Sequence, residues 1–163
     1  GAYLSIINNS SSYVYIMTPY LNPTEKVISS LVMAALSGVD VRIITPGIPD
    51  KKAVYQLTRS YYGTLLKAGV KIYEFKEGFI HAKTFVSDDM VSTVGTINLD
   101  YRSLYLHSEN GTLLIGENIS KEIKEDFQKT FLRSEEVTYT TWSKWRKRKK
   151  FLWGILRLIA PFL

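Results

Sequence analysis

Residues 3–75 alternate between short β-branched or aromatic runs and helical stretches, and this alternation narrows the fold more than any other feature of the chain. A short helix is expected over Tyr3–Asn9. Tyr13–Met17 then reads as a buried strand, rich in aromatic and β-branched residues. Thr18-Pro19-Tyr20 ends it, because proline brings no N–H to a ladder. Asn22 is placed to cap a helix, with Pro23 in its first turn and Glu25 near its positive end. That helix is expected to run to Ser37 and to stop at Gly38. Val39–Thr45 is the next strand. Asp50 caps a second helix that runs to about Lys67 and stops at Gly69, and Val70–Phe75 is a third strand. The order β-α-β-α-β argues for an α/β fold with a mostly parallel sheet covered by helices.

Beyond Phe75 the rhythm changes. Ala82–Val86 and Met90–Val94 are two short strands around the turn signal Ser87-Asp88-Asp89. Glu109–Ile115 is a further strand. Ile119, Ile123, Phe127 and Phe131 recur every four residues, which is one face of a helix. No internal repeat is present. With 163 residues, 45% hydrophobic and 22% charged, the chain can build a core and is not of disordered composition. The absence of cysteine excludes disulfides, thiol catalysis and cysteine-held zinc. The two histidines give no metal-ligand spacing, so neither a metal nor another cofactor is expected.

The net charge of +6 is concentrated at the C-terminus. Residues 142–163 hold seven basic residues and no acid, which leaves 14 basic against 15 acidic residues in 1–141. We therefore expect a body over 1–141 and a basic amphipathic helix over 142–163. A nucleic-acid binder more often spreads charge over its body, so no nucleic-acid partner is expected. Trp142, Trp145 and Trp153, the run Lys147-Arg148-Lys149-Lys150 and an apolar end suit a helix lying on an anionic membrane surface. The alternative is simple packing on the body. No apolar run reaches the roughly 20 residues of a spanning helix. The opening Gly1-Ala2-Tyr3 has neither Met nor a signal-peptide pattern, and reads as a cloning remnant or a cut within a longer protein.

The chemistry is carried by His81-Ala82-Lys83, Asp88 and Gly95-Thr96-Ile97-Asn98. On a strand, His81 and Lys83 share a face. A hairpin turning at Asp88 folds residues 95–98 back beside them. This gathers an imidazole, an ammonium, a hydroxyl and an amide. Lys83 and Asn98 are donors for an anionic oxygen, and His81 is a nucleophile or a proton-transfer group. Gly95 would let a ligand approach the backbone closely. Such a set fits phosphoryl transfer, in which positioning and charge stabilisation dominate. At the turn, Asp88 is expected to organise structure.

The spacing H-x-K-x4-D-x6-G-T-x-N resembles the HKD signature of the phospholipase D superfamily. Similarity to its cardiolipin synthase branch extends over Thr18-Pro19-Tyr20, residues 34–42, 66–73 and 78–83, and Asn98-Leu99-Asp100-Tyr101-Arg102-Ser103. The resemblance implies a phospholipase D-like domain, with a mixed, mostly parallel sheet and helices on both faces. It also implies a catalytic His81 that forms or assists a phosphohistidine, with Lys83 and Asn98 on phosphate oxygens and Thr96 supporting them. Glu109 would bond the second nitrogen of the catalytic imidazole. The implied reaction joins two phosphatidylglycerols into cardiolipin and glycerol, without a metal, at the cytoplasmic side of a bacterial cell membrane. Such chemistry uses two HKD copies and this chain has one, so it would be the C-terminal half, with the second copy in cis or in a homodimer. The sequence also departs from the pattern at Thr96, where serine is common, and at His107-Ser108, where Asn-Phe often precedes the glutamate. Two other readings fit: a single-HKD phosphodiesterase or nuclease acting as a homodimer, and a non-catalytic membrane-binding fragment.

Overall fold

The computed structural model describes residues 1–100, 103 and 110–163. At its centre lies β1 (Tyr13–Met17), buried at every position. On one side β3 (Asp40–Pro46) and β4 (Lys71–Phe75) continue the sheet in parallel. On the other side β5 (Thr84–Ser87), β6 (Val91–Gly95) and β8 (Gly111–Ile115) each run antiparallel to the neighbour before them. The far edge is β9 (Ser134–Val137), antiparallel to β4. The strand order is β8-β6-β5-β1-β3-β4-β9. The sheet is mixed, but parallel pairing is confined to β1, β3 and β4, a smaller share than the sequence suggested. The short β5–β6 hairpin is the reason, because a tight turn can join only antiparallel strands. A separate parallel pair joins β2 (Leu21–Asn22) to β7 (Leu99–Asp100).

Both faces are covered, which explains why β1 is a continuous apolar run. Val14 and Ile16 face a core with Ile43, Ile72, Phe85 and the helices α1 (Ala2–Asn9), α2 (Glu25–Leu36) and α3 (Lys52–Lys67). Tyr13, Tyr15 and Met17 face the other way, onto Ile44, Val86 and Phe127 of α4 (Glu117–Leu132). This is the two-residue period of a strand serving two cores at once. The helix stops fall where expected: Gly38 and Gly69 have φ of +93° and +94°, a conformation that side chains resist. The starts shift slightly. Thr24, not Asn22, caps α2 by accepting the Val27 N–H, and α3 begins after Lys51, whose N–H donates to the Asp50 carboxylate.

The last helix, α5 (Tyr139–Ile159), corrects the reading of the tail as a separate unit. It begins three residues earlier than expected and shares the main core through Trp142, Trp153, Leu156 and Ala160. Trp142 and Trp153 are therefore mostly buried against the body, where the sequence pattern suggests a membrane face. The Trp142 indole N–H donates to the Arg59 carbonyl at 2.8 Å, and Trp153 donates to Gln56 at 3.0 Å. Gly63 on α3 makes room, since a Cβ there would stand 2.2 Å from the Trp142 ring. Trp145 is half-buried, with Arg59 stacked 4.0 Å from its ring centre. The outward side is different: Phe151 and Leu158 of α5, and Phe162 in the turn just beyond it, are 84%, 80% and 84% exposed. No described helix is long and apolar enough to cross a membrane.

Candidate active site

Residues 76–83 leave the end of β4 and run, without regular structure, into β5. His81 is exposed on this segment, and Lys83 is 8% exposed beneath it. The strand expected from Ala82 begins only at Thr84, so the two are brought together by an irregular segment and not by strand alternation. The Lys83 ammonium donates to the His81 carbonyl at 2.7 Å and lies 3.1 and 3.2 Å from the two imidazole nitrogens. An ammonium can only donate, so the ring nitrogen it faces is the acceptor. The β5–β6 hairpin does fold residues 95–98 back. Gly95 donates its N–H to the Lys83 carbonyl at 3.3 Å.

Gly95 is needed for a close approach, but by protein backbone. A Cβ there would lie 2.3 Å from the Asn110 carbonyl and 2.7 Å from the Gly111 Cα. This corrects the expectation that its space serves a ligand. Thr96, exposed, exchanges hydrogen bonds with Asn110: its N–H donates to the Asn110 carbonyl at 2.8 Å, and its hydroxyl accepts the Asn110 N–H at 3.1 Å. Thr96 thus ties the motif to the lead-in of β8. The Asn98 amide N–H donates to the Ser103 hydroxyl at 3.3 Å, while its carbonyl oxygen is buried with no hydrogen-bond partner among the described residues. An unmet buried acceptor costs about 1–3 kcal/mol, so a partner for this oxygen would stabilise the site. Turning the amide over would present its N–H at the same place.

Asp88 does not join this cluster. Its carboxylate accepts the backbone N–H groups of Ser11, Ser12 and Tyr13 at 2.7–2.9 Å and the Ser11 hydroxyl at 3.1 Å. Burial pushes its carboxyl up, but the three N–H donors outweigh that and hold it below its ordinary value. Asp88 takes a positive φ of 52°, as its neighbour Asp89 takes 56°, which fixes the turn. Glu109, with His107, lies outside the described residues.

Sequence reasoning gave no role to three further residues beside the site. Buried Thr18 accepts the Leu99 N–H at 3.2 Å and donates to the Tyr20 carbonyl at 2.8 Å, which holds the 98–100 stretch against the end of β1. The Phe79 ring stands 5.7 Å from the His81 ring and 6.1 Å from Tyr20. The Tyr20 hydroxyl donates to Asp50, and burial and that carboxylate together push its phenol up to about 12. Thr18, Tyr20 and Phe79 all fall in the stretches that carry the resemblance, and that was the signal available. Phe79 thus stands between His81 and Tyr20 in a chain of ring contacts.

Residues 3–131 match a family model described as "Cardiolipin synthase, PLD-like domain". A cardiolipin synthase of Clostridium perfringens is 41% identical over 163 residues, covering 100% of this chain and 34% of that protein. Cardiolipin synthase 1 of Bacillus anthracis is 38% identical over 160 residues, covering 98% and 31%. The chain thus spans about a third of the length of these curated relatives. Among solved structures, phosphatidylserine synthase from Haemophilus influenzae superposes with a TM-score of 0.77 at 18% identity, over 99% of this chain and 44% of that one. Nuc, a phospholipase D family member from Salmonella typhimurium, superposes at 0.70 with 19% identity, over 83% and 88%. At such identities the structures speak for the fold alone. The family model and the relatives reach further: the chain belongs to the phospholipase D-like family, in its cardiolipin synthase branch.

Proposed function

We propose that this chain is the C-terminal catalytic half of a bacterial cardiolipin synthase, which joins two phosphatidylglycerols to give cardiolipin and glycerol. The observation that carries the reading is the Lys83 ammonium held against both the His81 ring and its carbonyl. Lys83 stands within hydrogen-bond distance of both imidazole nitrogens, one of which carries the lone pair. A phosphate oxygen is a stronger partner for an ammonium than a neutral ring nitrogen. Arrival of the lipid phosphate would draw Lys83 away, free the nitrogen beside the phosphorus and neutralise the charge that grows on the oxygens. Asn98 would supply a further donor, and Thr96 would hold that segment in place.

His81 and the histidine of a second HKD copy divide two roles. One attacks phosphorus and the other protonates the departing glycerol. The P–O bond to glycerol breaks as the P–N bond forms. The second histidine then deprotonates the hydroxyl of another phosphatidylglycerol, and that oxygen displaces the histidine from phosphorus. Glu109 would hold the tautomer of one imidazole. The second copy lies in cis or in a homodimer. Relatives about three times as long leave ample room for the first arrangement.

An anionic membrane surface is the proposed partner of α5. Lys144, Lys147 and Arg148 precede Phe151, Leu158 and Phe162 on its outward side. Asn22, beside β7, donates to the Ala160 carbonyl at 3.3 Å, so the apolar end of α5 sits close to the strand pair that follows Asn98. A bilayer reached by that end would lie near the catalytic groups. The reading places the protein at the bacterial cell membrane with this domain on the cytoplasmic side. The test is conversion of phosphatidylglycerol by the protein and by His81→Ala, followed by mass spectrometry. Cardiolipin from the first and none from the second is expected. Equal yields would overturn the reading, and cleavage of DNA without lipid transfer would favour the nuclease alternative.

A further inference from the structure

α3 and α5 do not close against each other along their whole length. Between them lies a groove of about 410 Å³, a size that suits a small polar group. Trp142 and Trp153 floor it, and four cations line it: Lys67 from α3 and Arg146, Lys150 and Arg157 from α5. The α5 cations recur at i, i+4 and i+11, so they form one stripe along the helix. None of the four has a carboxylate partner among the described residues. Arg157 is positioned by Ser60, whose hydroxyl lies 3.2 Å from its Nε, and by the Tyr61 ring at 4.5 Å. In the sheet, by contrast, Arg42 and Lys71 both meet the Asp40 carboxylate. Four unneutralised cations around one hollow repel each other, and an anion seated among them would offset that repulsion.

Across Gly154 the groove meets a second, shallow hollow of about 650 Å³, lined by Phe151, Ile155 and Leu158 together with Lys147 and Arg148. Lys150 and Gly154 line both hollows. Gly154 sits inside a long helix, where glycine costs about 1 kcal/mol relative to alanine. Packing does not require it, because a Cβ there would meet nothing within 4 Å. Its effect is to leave a low saddle between a cationic seat and an apolar trough. A phospholipid has that same order of parts: phosphate, glycerol, acyl chain. His81, Lys83 and Asn98 line neither hollow.

We infer that the groove between α3 and α5 binds the phosphate of an anionic phospholipid from the bilayer, apart from the site of chemistry. The glycerol crosses Gly154 and an acyl chain lies along Phe151, Ile155 and Leu158. The inference rests on the membrane reading of α5 and not on the reaction at His81. It gives the membrane contact a defined seat for one lipid, where scattered charge alone would give only a diffuse attraction.

The experiment is vesicle flotation of the His81→Ala protein on phosphatidylglycerol and on neutral phosphatidylcholine, so that no lipid is consumed and failure of the catalytic reading leaves the result intact. Arg146→Ala with Lys150→Ala removes two charges from the groove. Lys144→Ala with Lys149→Ala removes two from the same helix outside both hollows. The groove pair is expected to weaken phosphatidylglycerol binding about 10-fold further than the control pair, roughly 1.4 kcal/mol. Equal losses would mean diffuse attraction and overturn the site. Gly154→Leu fills the saddle without changing charge and favours the helix. It should abolish the preference for phosphatidylglycerol while binding to phosphatidylcholine holds or rises, and a preserved preference would also overturn the site. Inorganic phosphate should compete no better than chloride of equal ionic strength. Specific displacement by phosphate would show a seat for the free anion and overturn the bilayer as its source.

Discussion

Asp88, the carboxylate of the His-Lys-Asp motif, accepts the backbone N–H of Tyr13 at 2.9 Å across 75 residues of sequence. The bond ties the β5–β6 turn to the first residue of the central strand. Two more N–H donors, from Ser11 and Ser12, make Asp88 the clamp that sets where β1 begins relative to the hairpin carrying His81 and Lys83.

That clamp predicts an effect on stability more than on chemistry. Asp88→Ala leaves three N–H groups without their acceptor and is expected to cost about 2–3 kcal/mol, the range for hydrogen bonds to a charged group. The folded carboxyl lies below its ordinary value of 3.8. Its stabilisation is therefore complete at neutral pH, fades below about pH 4 and is gone once the pH has fallen through the folded value. Thermal melts from pH 7 to pH 2.5 should show the gap between Asp88→Ala and the parent closing in acid. A gap constant with pH would show that the charge is not what matters.

His81 and Lys83 predict the opposite pattern. His81→Ala is expected to abolish transfer, and Lys83→Ala to slow it by about 10²–10³, the effect of losing one donor to a developing oxyanion. His81→Ala should not shift the melting temperature by more than a few degrees, since His81 is exposed. Rates near the parent with either substitution would remove the catalytic reading.

The parts legible in the sequence were those set by local physics. Gly38 and Gly69 end helices because few side chains tolerate their φ. What escaped was set by distant partners. Trp142 and Phe151 both lie on apolar faces of one amphipathic pattern, and nothing in the pattern tells which face meets protein. Gly63 decides it, 79 positions before Trp142, by leaving room for an indole. The two-residue strands β2 and β7 are too short to show a period. β9 is Ser-Glu-Glu-Val, an edge strand whose charges hide it from hydrophobic patterning.

Gly63 can itself be tested. Gly63→Val sets its first carbon 2.2 Å from the Trp142 ring, inside a packed interface. Overpacking costs about 1–3 kcal/mol, while the helix preference gained over glycine is only a few tenths. A lower melting temperature and a red-shifted tryptophan emission are expected as Trp142 is driven toward water. A melting temperature at or above the parent would mean that α5 does not dock on α3 in this way.

Glu109 is predicted to act on rate alone. Glu109→Gln keeps the shape but removes the charge that would stabilise an imidazolium, so kcat should fall by orders of magnitude with the melting temperature unchanged. Measured beside His81→Gln, it separates support of the ring from loss of the ring. An unchanged kcat would take Glu109 out of the mechanism.

The last prediction concerns the outward face of α5. Deleting residues 142–163 cannot test membrane contact, because it would also remove Trp142, Trp153 and Leu156 from the core. The substitutions to use are Phe151→Ser, Leu158→Ser and Phe162→Ser, at side chains that are 84%, 80% and 84% exposed and so carry little of the fold. Outward along α5, basic Lys144, Lys147 and Arg148 come first and these apolar residues follow. Such an order favours an oblique pose, with the C-terminal end deeper and the cations at the headgroups. Each buried aromatic or leucine side chain contributes about 1.5–3 kcal/mol, and salt does not weaken it. Each cation near an anionic surface contributes about 1 kcal/mol, and salt screens it. The parent should therefore keep part of its binding to phosphatidylglycerol vesicles at 0.5 M salt, where the Debye length is only about 4 Å. The triple variant should bind only at low salt, by charge alone, and should melt at the temperature of the parent. If it binds as the parent does at high salt, the apolar end of α5 does not enter the bilayer and its exposure needs another partner.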